Sequence, residues 1–184
     1  MGKSKGIREV AFVNCSGGGQ VVVENNVACV GNMRSPDGTT IVDVGDPRNP
    51  REISRLGIVP GAHSHKVRVA NGLMLVNREF VSPQLSPNNF RGGLGIYDVS
   101  TPQKPKLICE WTTPGKGVHR FDFDGRFAYI SATEEGYVGH IMKILDLASP
   151  AKPEEIGRWW IPGQWTAGGE THTWKGADHR IHHP

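Results

Sequence analysis

Short runs of alternating apolar and polar residues, each interrupted by a pair of turn-forming residues, occur three times along this chain. The three runs align without gaps and span residues 21–30, 67–76 and 121–130. Their middles hold the pairs Asn25-Asn26, Asn71-Gly72 and Asp124-Gly125. Such pairs accept the positive φ angles of a two-residue hairpin turn, and the alternation is typical of a strand with one buried face. Each run is therefore predicted to be a β-hairpin that turns at its central pair.

A ten-residue motif follows each hairpin and reads aliphatic-x-Asp-aliphatic-x-x-Pro-x-x-Pro. Its copies begin at Ile41, Ile96 and Ile144. The repeated Asp residues are Asp43, Asp98 and Asp146. An Asp at a strand end before a proline turn readily accepts hydrogen bonds from backbone N–H groups. We therefore interpret these three residues as structural.

A fourth strand is predicted directly after each proline pair. The segments 51–56, 106–111 and 154–159 mix polar and apolar residues and lie beside prolines, as an outer, edge-like strand does. A further copy stands alone at residues 8–13. The repeating unit is thus a hairpin, a third strand, a Pro-x-x-Pro turn and an outer strand.

Four-stranded units at this period are typical of the blades of an all-β fold, the β-propeller. We expect one partial propeller domain over residues 1–184. Its features are blade units at about 21–57, 67–112 and 121–160, an orphan outer strand at 8–13 and a loop at 161–184. A sandwich of duplicated hairpins is the alternative, although a sandwich has no need of a gapless repeat.

About three blades form an incomplete ring, because propellers typically close with about four to eight blades. The sequence therefore predicts that the missing blades come from the rest of a longer chain or from a second subunit.

The Ile-Val-Asp-Val core of the motif, with its trailing Pro-x-x-Pro, resembles the LVIVD-repeat family of β-propeller proteins. The resemblance extends through all three repeats. It implies a propeller of more blades than this chain can build, and it implies no particular activity, since propellers host many functions.

Composition and charge exclude several classes of binding partner from our expectations. The formal net charge is +3 and the basic residues are scattered singly, so we expect no nucleic-acid partner. No apolar run approaches the length of a membrane span, so we expect no membrane partner either. Three cysteines without CxxC spacing fit a reducing compartment, and the expected location is cytoplasmic.

Histidines recur at one position of the repeat. His65 and His119 each lie two residues before an inner strand, and His183 falls at the same position if a further strand follows; the first repeat has Gly19 there. Equivalent positions in successive blades form a ring about the propeller axis. The pattern predicts a shared site for a transition metal such as Fe, Cu, Mn or Zn. His63, two residues before His65, is a fourth metal ligand candidate.

The alternative for these histidines is structural, with each ring bonded to a neighbouring blade. Further candidates for the same mouth of the propeller are His172, His179 and His182.

Glu170 and Asp122 are the catalytic candidates. Glu170 lies in the long irregular stretch 163–174 and is suited to act as a carboxylate ligand or general base, with Trp165 and Trp174 as pocket walls. The alternative is a surface connection whose tryptophans cover blade edges. Asp122 flanks the inner strand beside His119 and, like Arg120, is placed to orient that imidazole.

Asn77-Arg78-Glu79, at the exit of the second hairpin, is a weaker candidate that a solvated strand end explains equally well.

Two functions are therefore consistent with the sequence. One is a metal-dependent enzyme acting on a small organic substrate at the propeller axis. The other is a non-catalytic propeller scaffold that binds a protein or ligand.

Overall fold

The computed structural model describes residues 5–15, 17–85, 87–175 and 179–184. Within these ranges the chain forms thirteen β-strands, two short 3-10 turns and no α-helix. The described part of the chain holds no helix long and apolar enough to cross a membrane.

The strands form three antiparallel sheets in chain order. The first sheet has the order β1 (Gly18–Glu24), β2 (Val27–Asn32), β3 (Asp37–Asp43), β4 (Arg51–Gly57). In the second sheet, β5 (Ala62–His63) and β6 (Val67–Ala70) both pair with β7 (Leu73–Phe80), and β8 (Gly93–Asp98) and β9 (Lys106–Thr112) follow. The third sheet has the order β10 (Val118–Phe123), β11 (Phe127–Thr133), β12 (His140–Asp146), β13 (Glu154–Trp159). The predicted all-β fold of propeller-like blades is confirmed, and the three sheets do not close into a ring.

Two of the three hairpin turns lie at the predicted pairs. Asn25 and Asn26 have φ angles of 50° and 61°, and Asn71 and Gly72 have φ angles of 54° and 75°. These are the positive values that a two-residue turn of this type requires.

The third turn is displaced by one residue from the predicted Asp124-Gly125. Asp124 extends the hairpin, since its N–H donates to the carbonyl of Phe127, and Gly125 and Arg126 make the turn with a φ of 102° at Gly125. Asp124 Oδ1 accepts the N–H groups of Arg126 and Phe127. The gapless alignment itself places Gly125-Arg126 opposite the other two turn pairs. The prediction was wrong because it chose the turn pair by residue type instead of by position in the repeat.

The repeated Asp residues close the turn after the third strand of each sheet. In each case Asp Oδ1 accepts the N–H of the residue two positions later: Asp43 from Gly45 at 2.9 Å, Asp98 from Ser100 at 2.8 Å and Asp146 from Ala148 at 2.8 Å. This is the structural role that the sequence predicts, and it explains why Asp recurs at this position.

Residues 8–13 belong to none of the three sheets, so the orphan outer strand is not formed in this structure. Phe12 exposes 77% of its surface and Val10 exposes 50%. A strand needs a partner edge for its backbone groups, and this segment pairs with none of the edges of the three sheets.

The apolar core lies between neighbouring sheets. One cluster joins Leu75 and Ile96 of the second sheet to Phe121 and Ile130 of the third. A second cluster joins Cys29 and Ile41 of the first sheet to the second, through Val67, Met74 and Val76. Burial of these side chains therefore stabilises the stacking of sheets as well as each sheet.

Neighbouring sheets also meet through their backbones at the inner strands. Gln20 N–H donates to the carbonyl of His65 at 3.0 Å, and Phe80 N–H donates to the carbonyl of Lys116 at 2.9 Å. A Cβ on Gly31 would lie 2.7 Å from the carbonyl carbon of His65, and one on Gly117, whose φ is +92°, would lie 2.4 Å from the carbonyl oxygen of Arg78. We call these two lines of contact the inner seams.

The charged form of the three repeated Asp residues is predicted to contribute stability. Hydrogen bonds hold the pKa of each carboxyl below its ordinary value of 3.8, chiefly from the N–H of Gly45 to Asp43, from Ser100 to Asp98 and from Arg126 to Asp146. A lowered folded-state pKa gives stability that is complete above the unfolded pKa and is lost as the pH falls through the folded pKa. The melting temperature of D43N/D98N/D146N should therefore lie below that of the wild type at pH 7, and the difference should shrink as the pH falls below about 3.8.

Asn keeps the acceptor oxygen but carries no charge, so this variant isolates the effect of the charge on stability. The matched variant D43A/D98A/D146A loses both the acceptor oxygen and the charge, and it should have the lowest melting temperature at pH 7. Equal melting temperatures of the Asn variant and the wild type throughout the pH range would show that the charges contribute nothing.

Candidate functional site

The inner strand of every sheet is irregular at the same place. In the first sheet the shift falls between Gly18 and Val21, and in the third sheet it falls between Val118 and Arg120. In the second sheet the strand is interrupted between His63 and Val67. Such irregularities leave a residue unpaired and redirect its side chain. His65 and His119 lie in these irregularities, which explains why the repeat brings them to the same mouth.

Five imidazoles gather around this mouth. The ring of His65 lies 4.2 Å from that of His63 and 5.5 Å from that of His119, measured between centroids. The ring of His119 lies 5.8 Å from that of His140 and 5.1 Å from that of His182. We call these five residues the histidine cluster. Its members come from β5, the β5–β6 connection, β10, β12 and the segment 179–184.

The carboxylate of Glu79 lies inside the cluster and joins two of its members. His63 Nε2 donates to Glu79 Oε2 at 2.7 Å, and His119 Nδ1 donates to the same oxygen at 2.9 Å. The side chain of Glu79 is only 9% exposed. Burial alone would raise the pKa of this carboxyl, but the bonds from His119 and His63 outweigh it and lower the pKa to about 2. Glu79 is therefore an ionised carboxylate that links the second sheet to the third.

Two imidazoles of the cluster are held in the neutral form. Burial lowers the pKa of His65 to about 3 and that of His140 to about 4. Both ring nitrogens of His140 are buried and have no hydrogen-bond partner among the described atoms. A neutral imidazole has a nitrogen lone pair available for a metal ion, so burial prepares these rings for ligation.

His63, His65 and Glu79 have the spacing of a metal site. One ligand atom from each lies within 4.8 Å of the other two. Ligands about 2.0–2.2 Å from a common ion lie at most about 4.4 Å apart, so small side-chain rotations would bring the three together. Two imidazoles and one carboxylate are a donor set that suits first-row transition metals.

Asn77 fixes the backbone beneath the cluster. Its Oδ1 accepts the N–H of Lys66 at 2.8 Å, and its Nδ2 donates to the carbonyl of Val118 at 3.0 Å and lies 3.4 Å from His65 Nδ1. The side chain is fully buried. Asn77 therefore ties the irregular segment that carries His65 to the strand that carries His119.

A cleft of about 330 Å³ lies between the first and second sheets. Its wall includes Ser64 and Arg78, which are chain neighbours of His63, His65 and Glu79. The buried hydroxyl oxygens of Ser64 and Thr39 have no hydrogen-bond partner among the described atoms. The cleft therefore presents polar groups from the same segments that build the cluster.

The structure brings His63, His65 and His119 together and places His183 at the edge of the cluster, with its ring 4.7 Å from that of His182. His183 is exposed, and its Nε2 accepts a hydrogen bond from Arg120 Nη1. The ring next to His119 is that of His182. Residues 179–184 form no strand in this structure, so no ladder fixes the register that the sequence phase assumes.

The other histidine candidates lie in a separate stack. His172 and His179 pack on the ring of Trp174, with centroid distances of 4.5 and 4.6 Å. Both histidines are exposed, and they make these ring contacts instead of joining the cluster.

Glu170 organises the loop in which it lies. Its carboxylate accepts the N–H of Gly163 at 2.7 Å, that of Trp165 at 3.2 Å and the indole N–H of Trp160 at 3.2 Å. Trp165 packs on Tyr137 and Trp160. These contacts favour the alternative of a connection whose tryptophans cover neighbouring strands, and a catalytic role for Glu170 stays a prediction.

Asp122 accepts a hydrogen bond from Arg68 Nε at 2.6 Å and joins the inner strands of the second and third sheets. Burial would raise the pKa of Asp122, but the bonds from Arg68 and from the N–H of Phe123 bring it below its ordinary value. The structure thus gives Asp122 an ion pair between sheets, and its catalytic role also stays a prediction.

Sequence reasoning rated Glu79 as a weak candidate and did not single out His140. Neither residue recurs in the repeat, so a search by phase does not find them. Strand pairing is the signal that finds Glu79, which lies opposite His63 across the β5–β7 ladder. His140 begins β12 opposite Thr133, and only the packing of three-dimensional neighbours brings it to His119.

Comparison with known proteins gives no match for this chain. No protein-family model matches the chain, and no curated protein matches its sequence. The resemblance to the LVIVD-repeat family therefore depends on the repeated motif alone.

Replacing Glu79 should destabilise the fold. In Glu79→Gln the charge is lost and one carboxylate oxygen becomes an N–H donor, so the two imidazole N–H groups share a single neutral acceptor at the contact between sheets. Loss of the charge-assisted hydrogen bonds costs about 1.5–3 kcal/mol. Urea unfolding should show that decrease in the free energy of unfolding.

The matched control is Glu135→Gln, because Glu135 is exposed. It should unfold at the wild-type urea midpoint. A Glu79→Gln midpoint equal to that of this control would contradict the importance assigned to the Glu79 carboxylate.

Proposed function

We propose that this chain contributes part of a β-propeller that binds a divalent transition metal ion, such as Fe, Cu, Mn or Zn, in the histidine cluster. The bound ion would make the protein a metal-dependent enzyme for a small organic substrate. One observation carries the proposal: five imidazoles and one ionised carboxylate meet in a largely buried mouth between two sheets. Membership of the LVIVD-repeat family is part of the proposal, supported by the three copies of the motif.

The hydrogen bonds of Glu79 leave specific nitrogens available. His63 uses Nε2 and His119 uses Nδ1 toward the carboxylate, so His63 Nδ1 and His119 Nε2 remain for a ligand. A carboxylate that accepts the second N–H of a ligating imidazole fixes its ring orientation and raises its basicity. Glu79 therefore has two roles in this proposal. Its carboxylate orients two imidazoles, and it also supplies an oxygen ligand for the ion beside His65.

The electrostatics of the cluster favour binding of a doubly charged metal ion over protonation of several neighbouring imidazoles. Charging His65 is opposed first by its burial and then by the neighbouring His63. Neutral rings around one anion form a site that a metal ion can enter without displacing protons from His65 or His140 at neutral pH. When bound, such an ion acts as a Lewis acid toward a carbonyl or phosphoryl oxygen, or toward water; the residues of the chain hold it and exclude bulk solvent.

Metal analysis tests the proposal directly. The chain, exposed to Zn²⁺ or Co²⁺ and then dialysed, should retain about one ion per chain by mass spectrometry of its metal content. His65→Ala should weaken the retention by about 100-fold or more, because it removes a ligand rather than an orienting group. His172→Ala, which removes an exposed histidine outside the cluster, should retain the ion as the wild type does.

Circular dichroism of each variant checks that the sheets are still formed. Wild-type chain that retains no ion, or His65→Ala chain that retains it as well as His172→Ala chain does, would contradict the proposal. Retention of a metal ion with no turnover of any small substrate would instead favour the non-catalytic scaffold.

A further inference from the structure

A pair of cations occupies the repeat position next to the histidines. Lys66 follows His65 and Arg120 follows His119, so the two residues are equivalent in the second and third sheets. The next residues along the inner strands are Val67 and Phe121, which are buried. Two positions beyond the cations, Arg68 and Asp122 form an ion pair. The two inner strands thus present, in order, a layer of imidazoles, a layer of cations and an ion pair.

The charges of the cationic layer are not compensated by the protein. Arg68 is neutralised by Asp122, but within the described residues neither Lys66 nor Arg120 has a carboxylate at ion-pair distance. Nε of Arg120 is buried and has no hydrogen-bond partner among the described atoms. A partly buried guanidinium with an unused donor is a group that binds oxyanions well.

The two cations lie on neighbouring inner strands and next to the cluster. Each precedes by two residues a member of the ion pair between Arg68 Nε and Asp122 Oδ1, which are 2.6 Å apart, and residues two apart along an extended chain lie on the same side. Arg120 Nη1 also donates to His183, whose ring is 4.7 Å from that of His182. Glu79, the carboxylate inside the cluster, is already shared by two imidazoles.

We infer that the cationic pair Lys66 and Arg120 binds an oxyanion, and that the substrate of the metal site carries a carboxylate or phosphate group. The inference depends on the proposed function for its statement about substrate, while the anion site itself depends only on the cations. A small oxyanion would supply the missing counter-charge for both side chains and accept hydrogen bonds from the guanidinium group of Arg120. The same position lies beside the imidazoles, where a metal-bound reacting group would have to be.

Calorimetric titration of the chain with three probes tests this inference. The probes are inorganic phosphate, malonate and the uncharged analogue malonamide. The chain is first treated with a chelator, so that no metal ion can hold the anion. We expect phosphate, malonate or both to bind at about one per chain, and malonamide not to bind. Binding of phosphate alone identifies a phosphate-bearing substrate, and binding of malonate alone identifies a carboxylate.

Substitutions then locate the site. Lys66→Gln and Arg120→Gln should each weaken anion binding by about tenfold or more, since each removes a charge-assisted contact. Arg48→Gln, which removes an exposed arginine in the turn after β3, should leave it unchanged. Lys66→Arg keeps the charge and should keep most of the affinity, which separates loss of charge from loss of folding.

The inference is overturned if neither anion binds the wild-type chain, if malonamide binds as well as malonate, or if the double variant Lys66→Gln/Arg120→Gln binds as the wild type does. Metal retention, measured on separate preparations of the same proteins that are loaded with Zn²⁺ and dialysed without chelator, keeps the two proposals apart. Retention of a metal ion without anion binding would overturn this inference alone. Anion binding without metal retention would overturn the proposed function and leave an anion site.

Discussion

Direct backbone contact between the inner strands of neighbouring sheets is the constraint on which the rest of this structure depends. Along the inner seams, carbonyl and N–H groups of one sheet bond to those of the next, as from Gln20 to His65 and from Phe80 to Lys116. Glycine at positions 31 and 117 permits this approach, because a Cβ there would collide with the facing backbone. Apolar side chains fill the remaining space between the sheets. The geometry of the site follows from how closely the seams bring the strands together.

The same contact explains how a polar cluster is tolerated in a largely buried place. Burying an unpaired carboxylate is costly, but Glu79 accepts an imidazole N–H from its own sheet and another from the next. His65 and His140 avoid the cost by staying neutral, which their lowered pKa values reflect. The cations beyond the imidazoles have no comparable partner within the described chain. The charge of Glu79 is thus compensated within the protein, whereas the charges of Lys66 and Arg120 are not, and this difference is why we propose a metal site at the first and an anion site at the second.

The repeat made most of the fold predictable, and its limits explain what was missed. Three features recur in every repeat: the hairpin turn, the Asx turn of Asp98 and its equivalents, and the outer strand. Each of these features is therefore indicated three times in the sequence. Phase also placed His65 and His119 together. For His183 the outcome is different: His182 is the ring next to His119, and His183 packs against His182, because the segment 179–184 has no ladder to hold the assumed register. Phase could not find Glu79 or His140, which occur once and reach the cluster through strand pairing and packing.

X-ray absorption spectroscopy of the metal-loaded chain tests the central claim most directly, because it reports the atoms around the ion. We expect spectra at the Zn²⁺ or Co²⁺ edge to show only nitrogen and oxygen ligands, at about 2.0–2.2 Å. The outer-shell scattering should require at least two imidazole rings and should lose one ring in His65→Ala. Sulfur in the first shell, or a spectrum that fits hydrated ion without imidazole, would contradict a metal site in the histidine cluster.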